Sequence, residues 1–175
     1  MSEFSNDLSI NLFNPLFDNP KIIPHATGVY CITTNSINQL PSPMQSLNYS
    51  YLNSRPVIYV GISNRSLRTR DYRSHFNGNA RGSTLRKSLG SLFGLERIQS
   101  NNDIGTSKYK FSKADELKLS DWMKENINLH FFVHPEPSLI EKEVIDYFKP
   151  PLNIKDNHNV ENIEFRSYLM NLRKF

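Results

Sequence analysis

Apolar residues along the chain occur in two patterns, short β-branched or aromatic runs and stretches recurring every three or four positions, and each predicts a different element. TGVYCITT at residues 27–34 is a strand by composition, VIYVGI at 57–62 reads as a buried strand, and LHFFV at 129–133 is a third. From Ser66 the period changes: Leu67, Tyr72 and Phe76 share one face, leaving Arg68 and Arg73 to solvent or ligand, so a helix capped by Ser66 is expected. Leu85, Leu89, Leu92 and Phe93 predict a helix from Ser83 to Phe93, and Leu117, Leu119, Trp122 and Met123 predict another after Ser112. Two more are expected. One runs from Ser138 to Phe148, where Pro150 and Pro151 stop it, and one from about Asn162 to Arg173, with Phe165, Leu169 and Leu172 on one side.

Between these elements the pattern lapses. Residues 35–55 carry Asn, Ser, Pro41 and Pro43 without a period and read as a loop, and residues 94–111 read as an irregular polar insert. Residues 1–24, polar and punctuated by Pro15, Pro20 and Pro24, read as an arm laid over a domain of residues 25–155, with 156–175 as a helical tail. Three strands and four or five helices without strict alternation predict an α+β fold, with a small central three-stranded, mainly antiparallel sheet flanked by helices.

At 175 residues, with 38% hydrophobic residues including 11 Phe and 8 Tyr, the chain can bury one domain-sized core and has no room for a second. No run approaches the ~18 apolar residues of a membrane span, and the N-terminus has none of the segments of an export signal. The lone Cys31 excludes an internal disulfide and a cysteine-built zinc cluster, so a reducing, cytoplasmic setting is expected. Net charge is +4, and its placement matters more than its size. Arg65, Arg68, Arg70, Arg73, Arg81, Arg86 and Lys87, seven cations against Asp71 alone, put +6 into residues 65–87, while the remaining 14 cations and 16 acids sum to −2. Six of the seven are Arg, whose planar fork grips phosphate in a bidentate way, so the segment reads as the footprint of a nucleic acid, against the plain alternative of a solvated helical face.

Several catalytic patterns are missing from the sequence. His25, His75, His130, His134 and His158 show no H-E-x-x-H or Cys-paired spacing, and there is no G-x-S-x-G elbow or phosphate-cradling Gly loop. Glu116-Leu117-Lys118 matches the E-x-K of many metal nucleases, but in a helical pattern rather than on the strand that such a site uses. What remains is an order: Gly28-Val29-Tyr30, then Tyr59-Val60-Gly61, then L-x-x-R from Leu67 to Arg70, then Glu141 in LIEKEVI, then Asn153 closing KPPLN. In that order, with Glu141 twelve positions before Asn153, these residues resemble the GIY-YIG nuclease family over roughly residues 25–155, and HFNGNARGSTLRKSLG with DWMKEN further resembles a bacterial branch of it. Val stands for Ile in both tripeptides, a methylene difference. Arg70 falls nine positions after Gly61, one more than in several members, which leaves Arg68 as the alternative register.

The resemblance implies a metal-dependent endonuclease acting on duplex or branched DNA, with one Mg²⁺ or Mn²⁺ held by Glu141, waters and substrate oxygens. It implies Arg70 as the clamp on the scissile phosphate, Tyr30 as general base, Tyr59 as the residue that orients the water or assists deprotonation, and Asn153 as a hydrogen-bonding brace. His75 matches a histidine that some members carry after the Arg. A free tyrosine titrates near pH ~10, so Tyr30 needs neighbouring Arg and metal charge to act as a base. Arg65, Arg68, Arg73, Arg81, Arg86 and Lys87 are expected to hold flanking phosphates. Each residue also has a plainer reading: packed strand rings for the tyrosines, a capping box with Ser138 for Glu141, an ion pair with Asp71 or a solvated cation for Arg70, a surface residue for His75 and a turn residue for Asn153. The same fold without catalysis, a nuclease acting on RNA, and a separate targeting partner stand as alternatives, and the oligomeric state stays open.

Overall fold

A computed structural model describes residues 3–174. The three expected strands form the middle of an antiparallel sheet, with β2 (Gly28–Thr34) at the centre between β4 (Arg55–Ser63) and β5 (Ile127–Val133). The fold is α+β, and among the described residues the sheet has five strands rather than three, because β1 (Leu12–Phe13) pairs with β5 and β3 (Tyr51–Leu52) pairs with β4. With two residues each, both extra strands are too short to show alternation in sequence. β3 turns into β4 at Asn53 and Ser54, whose φ values of 49° and 61° give the left-handed turn that matches the twist of a hairpin. Residues 1–24 are more than an arm: α1 (Glu3–Ile10) and β1 place Phe4, Leu8 and Phe13 in the core, and residues 1 and 2 lie outside the described residues.

Side chains alternate along β2, so Val29 and Cys31 go to one face and Tyr30 and Ile32 to the other. The first face is covered by α1 and by α4 (Glu141–Phe148), through Phe4, Leu8, Val144, Ile145 and Phe148. The second face carries the larger core. Against it pack Leu85 and Leu89 of α2 (Thr84–Leu92), Leu119 and Met123 of α3 (Lys113–Asn126), and Phe165 and Leu169 of α5 (Ile163–Leu172). Each such side chain taken out of water contributes about 1.5–3 kcal/mol, and Phe165 and Leu169 thereby fasten the expected tail to the same core. Among the described residues no helix is long and apolar enough to cross a membrane.

Three local departures position the site. Ser66 does cap a helix, its Oγ accepting the Thr69 amide at 3.2 Å, but from Thr69 to Phe76 that helix is a π-helix. Its wider turn brings residues five apart into register, and bonds from Ser74 Oγ to the Thr69 carbonyl and from Asn77 Nδ2 to the Tyr72 carbonyl close it. α4 begins at Glu141 rather than Ser138, after a 3-10 turn over Pro137–Leu139, and ends on Lys149 in the left-handed region (φ 49°) ahead of the two prolines. The polar insert is also folded. Ile98 and Lys110 bridge, and Tyr109 and Phe111 are buried, Phe111 lying so close to Gly90 that a Cβ there would stand 2.1 Å from its ring.

Candidate active site

Register between the two central strands decides where the tyrosines go. Tyr30 on β2 lies opposite Gly61 on β4, and a Cβ at Gly61 would stand 2.3 Å from the Tyr30 hydroxyl. The glycine of the second tripeptide is therefore the space into which the tyrosine of the first folds. Further along, Ile32 pairs with Tyr59 while Thr33 pairs with Val57, which leaves Ile58 as the extra residue of a bulge. Ile58 and Tyr59 consequently join the same core as Tyr30. With His75 from the π-helix the two tyrosines form a ring cluster, with centroids 6.2 Å apart for Tyr30 and Tyr59, 5.4 Å for Tyr30 and His75, and 6.1 Å for Tyr59 and His75.

His75 is held at both nitrogens, with Nε2 2.7 Å from the Tyr30 hydroxyl and Nδ1 2.6 Å from Oγ of Ser83, the N-cap of α2. Burial, reinforced by Arg70 and Arg86, holds its pKa well below the usual histidine value, so at neutral pH the ring has one donor and one acceptor. With its proton on Nδ1 it donates to Ser83 and accepts from Tyr30. Asp71 lies one turn back, fully buried, with Oδ1 3.9 Å from His75 Nε2 and, among the described residues, no hydrogen bond to either carboxyl oxygen. Burial lifts its pKa well above the usual carboxylate range against the pull of Arg70. Arg70, partly buried, donates to the Gly82 carbonyl at 3.3 Å and lies against Tyr30, Tyr59 and Asp71. It is thus Arg70 and not Arg68 that meets the tyrosines. Arg68 instead donates to the carbonyls of Ile23 (2.7 Å) and Lys21 (2.6 Å), tying down the N-terminal segment. Burial, then Tyr59 and Asp71, push the Tyr30 pKa well above the ordinary tyrosine value, and Arg70 pulls it down only in part.

Tyr30 has no exposed surface, so the tyrosine on the cleft wall is Tyr59. Past Pro56 the outer edge of β4 has no strand partner, and Asn153 takes that place. Its Oδ1 accepts the Val60 amide and its Nδ2 donates to the Val60 carbonyl, both at 2.8 Å, while the Leu152 amide donates to the Ile58 carbonyl at 3.1 Å. A side-chain amide here reproduces a rung of the ladder and covers an open sheet edge. Glu141 opens α4 beside this edge, half-buried, in a cleft of about 720 Å³ that Tyr59, Thr84, Asn153 and Lys155 also line. Although α4 packs on the face opposite Tyr30, its first turn reaches the cleft around β4. The capping box is not formed: Ser138 Oγ contacts Asn64 Oδ1 at 3.2 Å, and the N-cap of α4 is Ile140, without a side-chain bond. The Glu141 carboxylate has no hydrogen bond or ion pair among the described residues. Burial and then Asp156 raise its pKa, with Lys155 and Arg70 opposing.

The cation-rich segment does not present one phosphate-facing stripe. Arg86 is wholly buried and donates to the Glu116 carboxylate (2.7 and 3.0 Å), to the carbonyls of Glu116 (2.6 Å) and His75 (2.9 Å), and to Ser120 Oγ (2.9 Å). An enclosed, fully paired cation cannot reach a phosphate, so Arg86 leaves the expected binding set. The same pair occupies Glu116 of the E-x-K tripeptide, which lies in α3. Arg81 makes a bidentate pair with Asp103 (2.9 and 3.0 Å) that leaves half its side chain exposed. Arg65 and Arg73 are exposed, and Lys87 lines the cleft. Three contributors had not been singled out as site residues: Ser83, whose only signal was its place ahead of an apolar helix, Asp71 as a buried acid, and Arg173, which enters the cleft from the end of α5 with no local motif to mark it.

A family model described as the GIY-YIG catalytic domain matches residues 28–175. No curated protein and no solved structure matches the chain.

Proposed function

The chain belongs to the GIY-YIG catalytic domain family, whose members are endonucleases, and we propose that it is itself a metal-dependent endonuclease that hydrolyses phosphodiester bonds of DNA. The observation that carries the reading is the convergence of Tyr30, Tyr59 and His75 within 5.4–6.2 Å of one another, with Arg70 against them and Glu141 on the cleft that Tyr59 lines.

Metal dependence is general in this family, and Glu141 fits a single Mg²⁺ or Mn²⁺. Its carboxylate is half-buried, faces the cleft and is unpaired among the described residues, and a hard cation of this kind accepts one or two carboxylates with water in its other positions. Among the described residues no three His, Cys, Asp or Glu side chains gather into a cage, which suits a one-carboxylate site. When bound, the ion supplies positive charge to the phosphoryl oxygens.

The remaining work falls to the chain's own side chains. Arg70 turns its guanidinium to the scissile phosphate and neutralises charge as it builds on the oxygens. Tyr59, on the wall, orients the attacking water. Tyr30 lies enclosed behind that wall, so it takes the water's proton only once bound substrate opens a path to its hydroxyl, and its own proton then moves to Nε2 of His75 while the Nδ1 proton stays on the bond to Ser83. As the water's oxygen bonds to phosphorus, the bond to the leaving oxygen breaks and that oxygen takes a proton from solvent. Asp71 Oδ1 lies 3.9 Å from the Nε2 that receives the Tyr30 proton. Asn153 keeps the edge of β4, and with it Tyr59, in place.

The test is incubation with supercoiled plasmid, linear duplex, branched DNA and RNA, in Mg²⁺ and in EDTA. Cleavage of DNA in Mg²⁺ alone is expected, and Tyr30→Phe should abolish it while leaving DNA binding intact. A Phe variant that cuts at the wild-type rate would remove Tyr30 from the proton path.

A further inference from the structure

Three cations stand close together at one end of the cleft and beside it. Arg173, at the C-cap of α5, is partly enclosed, and among the described residues its side chain has a single hydrogen bond, from Nη1 to Ser88 Oγ at 3.3 Å. Lys87 on α2 donates to the Ser107 carbonyl at 2.8 Å and lies 4.8 Å over the ring of Tyr109, and the Arg97 guanidinium lies 5.7 Å from the same ring. Lys87 and Arg173 both line the cleft that holds Tyr59 and Glu141. Among the described residues none of Lys87, Arg97 and Arg173 has an ion pair, whereas Arg81 and Arg86 each have a carboxylate. Burial lowers the pKa of both Arg173 and Lys87, and repulsion from Arg173 lowers Lys87 further. Like charges kept together, partly out of water and with no ion pair among the described residues, hold repulsion that an external anion relieves.

We propose that Lys87 and Arg173, flanked by Arg97, form a second phosphate subsite that binds a backbone phosphate of the same nucleic-acid strand beside the scissile one. This deepens the nuclease reading and rests on it for the identity of the strand. A cleft of about 720 Å³ is larger than one phosphate needs and of the size that takes a ligand on the scale of a dinucleotide. The guanidinium of Arg173 suits bidentate contact with two phosphate oxygens, and the Lys87 ammonium adds a point charge next to it.

The test measures binding of a fluorescein-labelled DNA duplex by anisotropy in EDTA, from about 50 to about 300 mM NaCl, for the full chain carrying Arg173→Gln, Arg173→Lys or Lys87→Gln. Wild-type cleavage in Mg²⁺ runs in parallel. Each Gln variant is expected to weaken binding about 5- to 10-fold near 100 mM salt and to reduce the slope of log K against log salt by about 1, with Arg173→Lys keeping the wild-type slope. In cleavage, KM should rise and kcat stay, because the subsite grips away from the reacting bond. Should Arg173→Gln fail to fold, Lys87→Gln carries the same forecast. Wild-type affinity and slope in the folded Gln variants would overturn the subsite even if the wild type cuts DNA. A wild type that binds with these shifts but never cuts would instead overturn the nuclease reading and leave the subsite standing.

Discussion

Arg86→Met removes the guanidinium of a wholly buried cation while keeping a long side chain in its place. The change strands the Glu116 carboxylate, which retains only the amides of Ala80 (2.8 Å) and Phe111 (3.1 Å), and it frees the carbonyls of His75 and Glu116 from their donors. Taking one partner from a buried pair costs about 3–5 kcal/mol, a large share of the roughly 5–15 kcal/mol that holds a domain together. The two surviving amide bonds place the expected loss toward the lower end, about 3–4 kcal/mol. At a urea m-value of about 2 kcal/mol/M this moves the unfolding midpoint down by about 1.5–2 M. Trp122, the single tryptophan, reports the transition by fluorescence. Adding Glu116→Gln to the variant removes the unpaired charge and should recover part of the loss. A midpoint shift below about 0.3 M at unchanged m, accompanied by weakened DNA binding, would refute the reasoning and return Arg86 to the surface as a phosphate contact.

Two further outcomes follow from the site. Gly61→Ala places a Cβ 2.3 Å from the hydroxyl of an enclosed Tyr30, and a displacement of about 1 Å at a reacting group costs about 100-fold, so kcat should fall at least that far while DNA binding persists; an unchanged kcat would contradict the packing. For Asp71 the sign runs downward with pH: the folded chain keeps a proton that the unfolded chain releases near pH ~4, so stability falls as pH rises above that value, by up to about 1.4 kcal/mol per pH unit until the raised pKa is passed. Asp71→Asn removes this slope, so the variant should gain on the wild type in urea titrations as pH rises from 5 to 8, and parallel stability profiles would refute it.

The strands that carry the tyrosines were legible because their apolar runs are long enough to show a pattern, and so was the order of Tyr30, Tyr59, Arg70, Glu141 and Asn153. The two outer strands were not, since a pair of residues such as Leu12 and Phe13 has no period to read and its pairing with β5 is made across more than a hundred positions. The charge of residues 65–87 misled for a related reason. A count of cations says nothing of Glu116 or Asp103, which lie 30 and 22 positions away, the first enclosed with Arg86 and the second holding the half-exposed Arg81 in an ion pair. Local chemistry was ambiguous at Glu141, where S-x-x-E also reads as a cap; the start of α4 at Glu141 itself excludes that cap, because a first-turn residue cannot reach back to close the box when Ser138 belongs to a separate turn. The π-helix left no mark in the apolar pattern, although it sets Arg70 and His75 on one side through their five-residue spacing.

Glu141→Gln tests the central claim most directly, through the rate of DNA cleavage in Mg²⁺ together with DNA binding and thermal melting of the same variant. Gln keeps the size of the side chain and discards the charge that holds the ion, and no cap depends on it. The protein should remain folded and bind DNA at least as well as the wild type, with cleavage lower by about a thousandfold or more. A Gln variant that cuts at the wild-type rate in Mg²⁺ would contradict the assignment of Glu141 as the metal ligand and the one-metal nuclease site built around it.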